Sequence, residues 1–180
     1  MTLLALGLIL WIVPHLLKRL APDLRAGWGE AGKLAITLAL FAGLVLMVIG
    51  YRQAEGTVYW GRNPALVGIN NLLMLVSVYL FAAAGMKTAL ARKLRHPMLL
   101  GAVLWSVAHL LVNGDTPSFL LFGGIGLWAL LSMALINRAG PWTPPAAKPA
   151  KFEAMALAGT LLVYGAIAGG HYALGYPTFG

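Results

Sequence analysis

Four histidines carry most of the chemistry open to this chain: His15, His96, His109 and His171. Each lies in or at the end of an apolar run. An ionisable side chain in hydrocarbon is costly, so it marks a candidate functional position. A neutral imidazole there still needs a partner, which a hydroxyl, a carbonyl or a metal can supply. His109 sits in Leu104-Trp105-Ser106-Val107-Ala108-His109-Leu110-Leu111, with Trp105 one helical turn below it. A structural imidazole and a metal ligand both fit that setting. His15 follows Pro14, which removes a helix hydrogen bond and frees a carbonyl one turn earlier. It reads either as an interfacial side chain at a kink or as an axial ligand or proton carrier. His96, in Arg95-His96-Pro97, reads as a charged helix start with Pro in the first turn and Arg95 facing lipid phosphate. His171 ends the last apolar run, on the same side as His109.

Polar neighbours surround these positions. Asn113-Gly114-Asp115-Thr116-Pro117 has turn chemistry, with Thr116 read as a helix N-cap and Pro117 as the first helical residue. Asn113 and Asp115 are also candidate partners that hold His109 or His171. Asn70 and Asn71 read as interhelical hydrogen-bonding residues. There is no Cys, which excludes disulfides, iron–sulfur clusters and covalent c-type haem attachment. With five Asp and Glu in all, paired carboxylate catalysis has too few members. No nucleotide-binding glycine motif occurs.

The elements that must position these residues are membrane helices. The chain is 60% hydrophobic and 10% charged, with mean hydropathy +0.81. A soluble domain carries about 25% charged residues. In hydrocarbon every backbone polar group must be paired internally, which favours helices here over a barrel of short alternating strands. Apolar runs predict six spans, near 2–19, 34–51, 66–86, 97–112, 118–136 and 154–172, the fourth being short. The expected fold is therefore an all-α, polytopic transmembrane helix bundle forming a single domain over 1–180. Eleven of the thirteen Lys and Arg fall in the loops after spans one, three and five, and only Arg52 and Arg62 fall on the other side. The positive-inside rule then puts both termini outside the cytoplasm. The net charge of +8 thus belongs to short loops facing lipid headgroups, and no nucleic acid is implied. Residues 139–150, with four prolines, read as a cytoplasmic linker. Segment 20–33 reads as a short interfacial helix through Leu20, Leu24 and Trp28. Trp28, Tyr51, Tyr59, Trp60, Trp142, Tyr172 and Tyr176 form an aromatic belt at the interfaces. Gly123, Gly124 and Gly126 leave room for close helix packing or a flat cofactor. No internal repeat and no cleavable leader are expected.

The run Arg95-His96-Pro97-Met98-Leu99-Leu100-Gly101, continued by Leu104 to Asp115, resembles the signature of the NnrU family. Leu121-Phe122-Gly123-Gly124, Leu127-Trp128-Ala129-Leu130 and Asn137-Arg138 resemble it too, as does His15 with Asp23-Leu24-Arg25. The resemblance covers essentially the whole chain. It implies a multi-spanning protein of the bacterial inner membrane, with some members associated with nitrite and nitric oxide reduction. The domain is also similar to that of plant 15-cis-zeta-carotene isomerase, a haem b protein. By that similarity the axial histidines fall on His15 and His109, with Trp105 and Ser106 beside the cofactor; the helix rise, which brings His96 closer in depth to His15, leaves His96 as the alternative ligand. Ser106 stands where the isomerase motif has Cys, and a hydroxyl does not replace a thiolate on iron. A helix rise of about 1.5 Å per residue sets His15 and His109 at depths about 15 Å apart, a large offset for two ligands of one macrocycle. Three functions follow as expectations. The first is a haem b redox protein, supporting nitrogen-oxide reduction through a redox partner. The second is a haem-dependent cis–trans isomerase of a lipophilic polyene. The third is a cofactor-free assembly protein.

Overall fold

The computed structural model describes residues 1–179. Eight α-helical segments follow one another: α1 Thr2–Leu20, α2 Pro22–Gly27, α3 Gly29–Gln53, α4 Pro64–Met86, α5 Pro97–Val112, α6 Thr116–Ser118, α7 Gly124–Arg138 and α8 Lys151–Ala173. A π-helical turn, Phe119–Gly123, joins α6 to α7, so that 116–138 is one apolar rod. Among the described residues, five rods are long and apolar enough to cross a bilayer. The fourth of the six expected spans is the exception. Helix α5 has 16 residues, about 24 Å of rise against a hydrocarbon core of about 30 Å. The outer surface is apolar, with Phe41 66% and Leu162 75% exposed. Water solvates such a surface poorly and lipid solvates it well.

Helices α1 and α3 form the tightest pair. A Cβ added at Gly7 would lie 2.8 Å from the Gly43 carbonyl oxygen, and one at Gly50 would meet the Leu4 backbone. Small residues thus let the two backbones touch, as membrane helices require in the absence of a hydrophobic drive between them. Helix α4 packs on α5 and α8, and α5 on α7. The α4–α5 contact includes a buried hydrogen bond from Ser77 Oγ to the Gly101 carbonyl, 2.8 Å. Leu20, Leu24 and Trp28 on and around α2 are all exposed.

Two local expectations are corrected, and one element is new. The N-cap of the 116–138 rod is Asp115, whose Oδ1 accepts from Ser118 N at 2.8 Å, and Thr116 is the first helical residue. A carboxylate there also meets the positive end of the helix dipole, which a hydroxyl does not. Asp115→Ala is expected to cost about 1 kcal/mol, seen as a lower unfolding midpoint in detergent, with Thr116→Ala much milder. Arg95 does not extend to lipid phosphate. Its guanidinium donates to the carbonyls of Ile136 at 3.0 Å and Gly140 at 2.7 Å, closing the C-terminal end of α7. A two-stranded antiparallel ribbon, unforeseen in the loops, pairs β1 Val58–Trp60 with β2 Gly114–Asp115.

Candidate functional site

His109 stands in the last turn of α5. Its Nδ1 lies 3.0 Å from the Trp105 carbonyl oxygen. A carbonyl only accepts, so Nδ1 carries the proton, and in the neutral imidazole Nε2 keeps its lone pair. The ring packs in a three-way cluster with Trp105, at 4.7 Å, and Phe122, at 4.6 Å, whose own centroids are 5.0 Å apart. Phe122 belongs to the π-helical turn and also touches Tyr51 of α3, 5.7 Å between centroids. Such turns often re-aim side chains at functional sites.

His109 lines a cavity of about 940 Å³ together with Tyr51, Trp105, Asn113, Asp115 and His171. That volume is at the upper end of the roughly 300–1,000 Å³ typical of ligand pockets. His171 bonds through Nδ1 to the Ile167 carbonyl at 2.9 Å, the same arrangement as His109. Asn113 touches His109 only through the backbone, donating Nδ2 to its carbonyl at 2.9 Å. Asp115 spends Oδ1 on its own helix cap, so neither residue orients an imidazole in the way expected of them.

His15 lies in α1, its Nδ1 2.7 Å from the Trp11 carbonyl oxygen, and its ring sits 4.5 Å from Trp11 and 4.8 Å from Trp128. Trp11 lines the cavity and His15 does not. Phe122 and Trp128, the residues against which His109 and His15 lean, are about 9 Å apart along the rod. His96 is occupied elsewhere, Nε2 2.8 Å from Asn137 Oδ1. Ser106 is 2% exposed, faces Gly126 and has a buried hydroxyl without a partner. The indole N–H groups of Trp11 and Trp128 are buried and unpartnered as well. No cluster of three or more His, Cys, Asp or Glu exists among the described residues.

The NnrU protein family profile matches residues 3–178. The chain belongs to the NnrU family. No curated protein and no solved structure matches it.

One feature of this NnrU chain escaped the sequence reading, which expected no internal repeat. Residues 6–17, LGLILWIVPHLL, and 100–111, LGAVLWSVAHLL, agree at eight of twelve positions. The shared residues include Trp11 with Trp105 and His15 with His109. Both copies fold into the same device, a Trp one turn before a His whose Nδ1 is locked onto that Trp's carbonyl. The signal was the spacing Leu-Trp-x-Val-x-His-Leu-Leu, legible only when α1 and α5 are aligned on each other.

The residues present suit a haem. The donor set offers imidazole nitrogens with free lone pairs, and iron in b-type haem takes neutral imidazole without covalent attachment. A backbone carbonyl fixes each tautomer, as metal-ligating histidines commonly require.

Proposed function

We propose that this NnrU-family protein binds haem b within the membrane and serves a redox role, such as supporting nitrite or nitric oxide reduction in the inner membrane of a bacterium. The observation that carries the reading is His109. Its Nδ1 is held by the Trp105 carbonyl, and it lines the 940 Å³ cavity. Bound haem supplies a reversible one-electron couple. The chain's part is to present His109 Nε2, to stack Trp105 and Phe122 against the imidazole, and to keep water from the apolar cavity wall. His15 is the proposed second ligand, supported by its repetition of the same Trp–His device on α1. A specific observation favours His171 instead, since it lines the cavity alongside His109. The loop charges support an orientation with both termini outside the cytoplasm.

Haemin titrated into the detergent-purified protein is expected to bind saturably at one per chain, with a sharpened and shifted Soret band. An unchanged haemin spectrum in a monodisperse sample overturns the proposal. An isomerase acting on a polyene is a second reading, which the apolar cavity favours. Buried Ser106 in place of a thiol opposes it. Turnover of a cis-polyene by the reduced protein alone is the outcome that would establish it, and no turnover across a polyene panel would remove it.

A further inference from the structure

The two arginines that break the charge pattern of the loops are Arg52 and Arg62. They lie ten residues apart in sequence, on different elements, yet both line the cavity that His109 lines. Arg52 lies in the last turn of α3 directly after Tyr51, whose ring contacts Phe122, which in turn packs on His109. Arg62 follows strand β1, where the Trp60 indole donates to the carbonyl of Leu110, the residue next to His109, at 3.0 Å. The backbone that carries each arginine is therefore tied to the His109 turn, from two directions.

Among the described residues neither forms an ion pair. The cavity wall also holds Glu55 and Asp115. Asp115 Oδ1 is committed to Ser118 N, and the one ion pair among the described residues is Lys33 with Glu30. Two guanidiniums outside any ion pair, at the wall of a largely apolar cavity, match a ligand with an apolar body and two carboxylates on one edge. Arginine's planar fork suits a carboxylate better than lysine's point charge does.

We infer that Arg52 and Arg62 receive the two propionate carboxylates of the haem whose iron His109 holds. This rests on the haem reading above. It gives the ribbon of β1 and β2 a purpose, which is to hold the chain near Arg62 over the cavity. It also fixes the orientation of the macrocycle, with its propionate edge toward the α3 C-terminus and the β1–α4 loop.

The test compares haemin with haemin dimethyl ester, in which both carboxylates are masked, by absorbance titration of the full chain in detergent. Wild type is expected to bind haemin about tenfold or more tightly than the ester, the range for charge-assisted bonds to two carboxylates. Arg52→Gln with Arg62→Gln is expected to weaken haemin to the level of the ester and to leave the ester unchanged. Thermal unfolding of the unliganded protein, unaltered by the two substitutions, separates this from a loss of fold. Equal affinity of wild type for haemin and ester overturns the arginine assignment and leaves the haem reading standing. So does a variant that loses both ligands in parallel. Binding of neither ligand to wild type overturns both.

Discussion

His109→Ala is expected to abolish stable haem binding. Loss of an outer partner of a metal ligand costs about 10- to 100-fold in affinity, and loss of the ligand itself exceeds that. The variant protein leaves its column colourless, and added haemin gives a broad, unshifted Soret band. Ala is a good helix former, and His109 lies near the end of α5, so the helix survives the change. His109→Ala with exogenous imidazole recovers a six-coordinate spectrum if the cavity is intact. Parallel variants assign the opposite face of the iron. Loss of the low-spin spectrum in His15→Ala and its retention in His171→Ala supports the repeated Trp–His device as the ligand pair. The reverse result makes His171 the second ligand and leaves His15 a structural role beside Trp128.

The second large effect is mechanical. Gly50→Ala places a methyl group against the Leu4 backbone, where no side chain can swing away. Overpacking of this kind costs about 1–3 kcal/mol, and contact with backbone falls at the upper end. The change separates α1 from α3, and α1 carries Leu4, Leu8 and Trp11, which build the core beneath the cavity. Gly68→Ala is the control. A Cβ at Gly68 meets nothing within 4 Å, so this change is expected to be neutral or stabilising by up to about 1 kcal/mol through helix propensity. Thermal unfolding of the three proteins in one detergent measures both. Equal midpoints for Gly50→Ala and wild type contradict the close α1–α3 seam.

Much of this architecture is legible in the sequence because lipid imposes a simple rule. A continuous apolar run must be a helix, so the expected spans and the observed rods nearly coincide. The limits differ where polar residues extend a helix beyond the hydrocarbon. Thus α3 begins at Gly29, five residues before the expected span, through Glu30 and Lys33, which pair with each other at i and i+3. What escaped depends on contacts between distant segments. Val58 and Tyr59 have strand propensity, yet a strand of three residues forms only because Gly114 offers an edge and room beneath Trp60. The π-helical turn carries no local sequence mark, since Phe119–Gly123 is apolar and compatible with an ordinary helix.

The candidate site was legible in its parts and not in its assembly. His109 and Trp105 stood out by type and spacing, and the structure joins them through one hydrogen bond. Asn113 and Asp115 were singled out by proximity in sequence, but each satisfies a helix terminus, the commoner need of a polar residue beside a helix end. Arg52 and Arg62 were visible only as exceptions to a charge bias. Their place in the cavity wall required the ribbon and the α3–π-turn contact, neither of which has a local signature. Tyr51, read as part of an aromatic belt, shares a 2.8 Å hydrogen bond with Ser118 and lines the cavity.

The most direct measurement is the absorption spectrum of protein purified in detergent, with haemin supplied and the excess removed, recorded oxidised and then reduced with dithionite. Wild type is expected to show a Soret band that shifts on reduction and split visible bands, the pattern of a six-coordinate b-type haem, lost in His109→Ala. A featureless spectrum from a folded, monodisperse wild type, or one unaltered by His109→Ala, contradicts the haem proposal.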